Sequence, residues 1–138
     1  MTRILGIDYG KRRIGVAISD PMCILSTPVE TLQVTGMNKA VEQVASIVKA
    51  RDVSKILVGL PLHMNNTKGE LAHVCEKFAE KLRKHTGREV VMWDERLTSK
   101  EAERVLLAAN VSRAKRKKVI DKMAAQILLQ SYLDAQAL

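Results

Sequence analysis

The spacing of apolar and polar residues changes period along this chain. Residues 4–8 (ILGID) and 14–19 (IGVAIS) are short runs rich in Ile and Val, and YGKRR joins them as a hairpin would. A third run, near 24–32, is interrupted by Pro28, which suits an edge strand because proline donates nothing to a ladder. The period then becomes helical, with Val41, Val44, Ala45 and Val48 at i, i+3, i+4 and i+7. KILVGL (55–60) reads as a strand buried on both faces, and the loop PLHMNNTKG follows it. Leu71, Val74, Cys75, Phe78 and Leu82 return to one helical face, which Gly87 closes as a C-cap. REVVMW (88–93) is the next strand. Thr98 and Glu101 have capping-box spacing, so a helix is expected to start there. The last helix runs from about Ala114 to near the C-terminus, with Val119, Ile120, Met123, Ala124, Ile127 and Leu128 on its apolar arc.

The expected order is β-β-β-α-β-α-β-α-α. Three strands make an antiparallel meander, and the later strands, each reached through a helix, run parallel to the first. The result is an α/β fold: a five-stranded mixed sheet, three strands antiparallel and then two parallel, with helices on both faces. At 138 residues, without linker, repeat or low-complexity stretch, the chain reads as one domain spanning 1–138.

Composition adds a partner to this picture. Lys and Arg number 23 against 15 Asp and Glu, a net charge of +8, which suggests a polyanion, with nucleic acid ahead of membrane. No apolar run reaches the length of a membrane span, and the N-terminus lacks a signal-peptide pattern, so a cytoplasmic protein is expected. Cys23 and Cys75 form no CxxC pair and fit buried thiols in a reducing compartment. His63, His73 and His85 lack zinc-site spacing. Four aromatic residues are too few for a base-stacking platform.

Three acids stand out. Asp8 ends an apolar strand beside Gly10, where a carboxylate needs a compensating partner, although such an Asp can also simply open a turn. Glu95 lies in the link after strand 88–93, at the end of the sheet where ligand groups gather in α/β folds. Asp94 is the alternative inward-facing acid there. Asp121 falls at the margin of the last helix's apolar arc, though the commoner fate of a helical Asp is an i,i+4 pair, here with Lys117, or a solvated position. If strands 1 and 5 share a sheet edge and the last helix packs over it, the three acids converge. Clustered acids repel unless a hard cation such as Mg²⁺ joins them, a site suited to phosphodiester hydrolysis. Cations flank these positions: Lys11, Arg12 and Arg13 after Asp8, and Arg113, Lys115, Arg116, Lys117 and Lys118 before Asp121. The second run opposes the macrodipole at a helix start, which favours a role in binding phosphates.

GIDYGKRRIGVA (6–17), VGLPLHMNNT (58–67), WDERLTS (93–99) and VSRAKRKKVIDKMAAQILLQSYL (111–133) resemble the bacterial YqgF family, also called RuvX. Its members are described as Holliday-junction resolvases and as nucleases that process the 5′ end of pre-16S rRNA. The resemblance implies an RNase H-like fold and a Mg²⁺- or Mn²⁺-dependent endonuclease acting on pre-rRNA or branched DNA, as a monomer or homodimer. It implies that Asp8, Glu95 and Asp121 are catalytic, metal-binding carboxylates. It places Lys11 and Arg96 beside them, with Asn65 and Asn66 facing substrate. One departure stands: RuvC-type resolvases carry two acids a turn apart on the last helix, whereas here Ala124 and Ala125 follow Asp121. Competing readings are Holliday-junction resolution, a nucleic-acid-binding factor without catalysis, and an actin-like or sugar-kinase ATPase. The last lacks the second domain and the Walker A motif it would need.

Overall fold

The computed structural model of the chain describes residues 3–63, 65–96 and 113–137, with the backbone alone for 113–122. Strands β1 (Arg3–Tyr9), β2 (Arg13–Ser19) and β3 (Ser26–Gln33) precede helix α1 (Met37–Ala50). Strand β4 (Val53–Leu60), helix α2 (Glu70–Thr86) and strand β5 (Glu89–Asp94) follow, and then helix α3 (Arg113–Gln136). The helix expected from Thr98 lies outside the described residues.

The described strands form a five-stranded sheet in the order β3-β2-β1-β4-β5. β1, β2 and β3 pair antiparallel, while β1–β4 and β4–β5 are parallel, as the sequence predicts. One expectation is corrected: β1 and β5 do not share an edge. β4 pairs with both of them: the crossover through α1 returns the chain past the hairpin to the free edge of β1, and the crossover through α2 adds β5 outside β4. Pro28 does lie on an edge strand, next to a bulge opposite Val16 and Ala17. The bulge lets the ladder pass a residue that has no N–H.

Alternation along each strand sorts side chains to two faces. Leu5, Ile7 and Tyr9 of β1, with Ile56 and Val58 of β4, join Val44, Phe78 and Leu82 of α1 and α2 in one core. Ile4 and Leu57 join Ala125, Leu128, Leu129 and Tyr132 of α3 in the other. Full burial of each Leu, Ile or Phe contributes about 1.5–3 kcal/mol, so these two clusters fix the three-layer arrangement.

Polar contacts set the position of α3 along the sheet. The Gln130 side-chain amide donates to the Ile24 carbonyl (2.9 Å) and accepts from the Ser26 N–H (2.9 Å). Gln126 donates to the Ser26 carbonyl (3.2 Å). On the other side of the helix, Trp93 Nε1 donates to Ser131 Oγ (3.2 Å), and Lys55 Nζ to the Tyr132 hydroxyl (3.2 Å). Gly6 lets the helix come close: a Cβ there would lie 2.8 Å from Leu129 Cβ.

Candidate active site

Asp8 shares strand parity with Ile4 and Gly6, so it faces the α3 side of the sheet. It is half-buried and pairs across the ladder with Gly15. A Cβ on Gly15 would meet Ala125 Cβ at 3.3 Å, so α3 passes directly over this level of the sheet.

Glu95 follows the last residue of β5, which extends to Asp94. Its N–H donates to the Leu60 carbonyl (3.1 Å), carrying the β4–β5 ladder one residue further. Glu95 has the parity of Val91 and Trp93, both packed toward α3. β4 lies between the two acids, and the residue under Glu95 is Gly59. A Cβ there would lie 2.7 Å from Glu95 Cγ, so the bare backbone makes the room in which the carboxyl lies.

Burial, then the neighbouring Asp8 carboxyl, then the charge of Asp94 push the Glu95 carboxyl up to about 9. Burial and the neighbouring acid thus favour the protonated form of Glu95. Oxygen-only donors of this kind fit a hard divalent ion such as Mg²⁺ or Mn²⁺. Among the described residues, no group of three or more His, Cys, Asp or Glu gathers as a metal site. Asp121 lies on α3, one turn before Ala125, and its side chain is outside the described residues. The same holds for the side chains of Arg113, Lys115, Arg116, Lys117 and Lys118.

The two neighbouring acids face different partners. Glu95 meets Asp8, while Asp94 meets Arg96, whose hydrogen bonds hold the Asp94 carboxyl below the usual carboxylate range. Arg96 Nε donates to both Asp94 oxygens (3.0 and 3.1 Å), and Nη2 donates to Oδ2 (2.6 Å). Arg96 Nη1 reaches across to the His63 carbonyl (3.0 Å).

Lys11, Arg12 and Arg13 are exposed on the hairpin directly after Asp8's strand, which closes with Gly10 N–H on the Arg13 carbonyl (2.9 Å). Asn65 and Asn66 are exposed on the β4–α2 loop. Asn65 Oδ1 accepts from Thr67 Oγ1 (2.6 Å) and the Thr67 N–H (3.2 Å), and Asn66 has φ 68°. Cys75 is buried on the α2 side, its thiol pushed up to about 12 mainly by burial, while Cys23 is half-buried. Neither forms a disulfide.

Sequence reasoning missed Gly59. A glycine inside an apolar strand is the available signal, since it marks a close approach by another group.

Fold and acid pair together define an RNase H-like protein. The structure is similar to that of T. thermophilus RuvC in complex with Holliday junction substrate (TM-score 0.62, 14% identity, 99% of this chain and 96% of that one). It is also similar to the fowlpox virus Holliday junction resolvase (TM-score 0.53, 11% identity, 98% and 99% covered). Residues 2–135 match the family described as "RuvX: Holliday junction resolvase", and the chain belongs to that family. Relatives from Bacillus thuringiensis (strain Al Hakam) and Bacillus cereus (strain AH820), each named "Putative pre-16S rRNA nuclease", are 48% identical over 136 residues. Those matches cover 97% of this chain and 99% of theirs. Among the described residues, no helix is long and apolar enough to cross a membrane.

Proposed function

We propose that this chain is a divalent-metal-dependent endonuclease that hydrolyses phosphodiester bonds in structured nucleic acid, with pre-16S rRNA as its first substrate. One observation carries the reading. Asp8 and Glu95, far apart in sequence, lie on the α3-covered face of the sheet, with Glu95 over Gly59 and close enough to Asp8 for the two acids to interact. The names of the 48% identical relatives support the substrate.

Asp8 and Glu95 would hold the ion, with Asp121 as the third acid from α3. When bound, such an ion draws charge from a phosphoryl oxygen and lowers the pKa of water. The chain's own residues do the rest. Asp8 and Glu95, with the Glu95 proton released to solvent, would present their carboxylate oxygens to that ion at the end of the sheet. Lys11, Arg12 and Arg13 neutralise neighbouring phosphates, and the residues at 113–118 supply further positive charge. Asn65 and Asn66 present polar groups from the β4–α2 loop.

Holliday-junction resolution is the second reading, favoured by the family's description. It requires a two-fold dimer that cuts both strands symmetrically. One experiment addresses both readings. Precursor 16S rRNA and a four-way DNA junction are incubated side by side with Mg²⁺ or Mn²⁺ and either wild type or Asp8→Asn. The expected result is rRNA cleavage by wild type and its loss in the variant. Paired symmetric cuts in the junction, with the rRNA intact, would select the resolvase. Binding to both without cutting either would identify a non-catalytic factor.

A further inference from the structure

The Arg96 guanidinium contacts two elements at once. Four hydrogen bonds from its backbone N–H, Nε and Nη2 hold Asp94, at 2.6–3.1 Å. The remaining nitrogen, Nη1, donates to the His63 carbonyl (3.0 Å). That carbonyl also accepts the Asn66 N–H (2.9 Å), and the His63 N–H donates to the Thr67 carbonyl (2.9 Å). Leu62, His63 and residues 65–68 are therefore tied together in one turn, zipped by the Leu62–Lys68 bridge. The turn is tied to α2 by Lys68–Glu76 (2.9 Å) and to the end of β5 by Arg96. Asp94 and Arg96 bracket Glu95 in sequence, so the same clamp sets the backbone from which Glu95 reaches Asp8.

We infer that Arg96, locked by Asp94, is a positioning residue that holds the β4–α2 loop and the Glu95 backbone in one fixed relation. The inference deepens the nuclease reading and rests on it for its kinetic part. A guanidinium suits the task because its planar fork reaches a carboxylate edge-on and a carbonyl beside it, which an ammonium cannot do. A site loosened by about 1 Å loses up to about a hundredfold in rate, so the effect belongs in kcat. A phosphate-binding arginine would act differently, through KM and salt dependence.

The test compares Arg96→Lys, Asp94→Asn and the double variant in two measurements. The first is cleavage kinetics at several salt concentrations. The second is amide hydrogen exchange at Asn66 and His63 in the protein alone. The clamp predicts that each single variant lowers kcat by about tenfold to a hundredfold, with the salt slope unchanged. It also predicts that the double variant is no worse than either single one, because the three residues act as a unit. Both amides exchange faster in all three variants. Asp94→Asn with wild-type kcat, beside Arg96→Lys with raised KM and unchanged kcat, would overturn the clamp in favour of direct phosphate binding. If wild type cuts nothing, the nuclease reading fails, and the exchange data still decide: faster exchange upholds the clamp, and unchanged exchange ends it.

Discussion

At the scale of single residues, the site depends as much on a missing side chain as on the acids. Glu95 lies over Gly59 because nothing projects from that backbone. Gly59→Ala is expected to keep the fold, since the atoms a new methyl would meet belong to the movable end of Glu95 and not to backbone. The methyl should swing the carboxyl away from Asp8 and lower cleavage by at least about tenfold, while the circular dichroism spectrum stays that of wild type. Wild-type cleavage by this variant would show that Glu95 need not lie where the structure places it. The acids themselves were legible in the sequence, because a carboxyl at the end of an apolar strand demands a partner. Gly59 was not, since its role appears only when a residue from the next strand is placed above it. The partners of Arg96 were equally hidden: one is two positions away, but the other is a backbone carbonyl 33 positions distant that no side-chain pattern reveals. Asp121 stays an expectation from sequence, with its backbone on α3 and its side chain outside the described residues.

At the scale of elements, periodicity identified the strands and helices but not their order across the sheet. Apolar spacing reports which face of an element is buried, and it is silent on which neighbour lies beside it. Placing β5 next to β1 was the natural way to bring Asp8 and Glu95 together. The chain instead inserts β4 between them and removes the obstacle with a glycine. The α3 side of the sheet uses the same device twice more, which gives a graded prediction. Gly6→Ala drives a methyl to 2.8 Å from Leu129 Cβ, at the root of a side chain that cannot move aside. It should cost about 1–3 kcal/mol as overpacking and tilt α3 away from the acids. Gly15→Ala meets Ala125 Cβ at 3.3 Å and needs only a slight shift. Its loss should be under about 1 kcal/mol, partly offset by reduced freedom of the unfolded chain. Urea unfolding of the two variants checks the ranking, and equal stabilities would mean that α3 does not pack as described.

At the scale of the whole molecule, the two faces of the sheet divide the work. α1 and α2 cover one face with a continuous apolar core and present no part of the acid pair. α3 covers the other, and its contacts with the β2–β3 loop, Trp93 and Lys55 fix where it crosses β1 and β2. The net charge of +8 then has a use: it draws a polyanion toward a molecule whose acids lie at one end of the sheet beside a basic hairpin. The most direct test of this arrangement is titration of Mn²⁺ into the metal-free protein at pH 7.5, with proton release followed by calorimetry in two buffers of different ionisation enthalpy. Burial and the neighbouring acids favour a proton on Glu95, which an ion held by its carboxylate displaces. Wild type should therefore bind Mn²⁺ and release close to one proton per site, and Asp8→Asn should do neither. Equal binding by the two proteins, or binding by wild type with no proton released, would contradict the account.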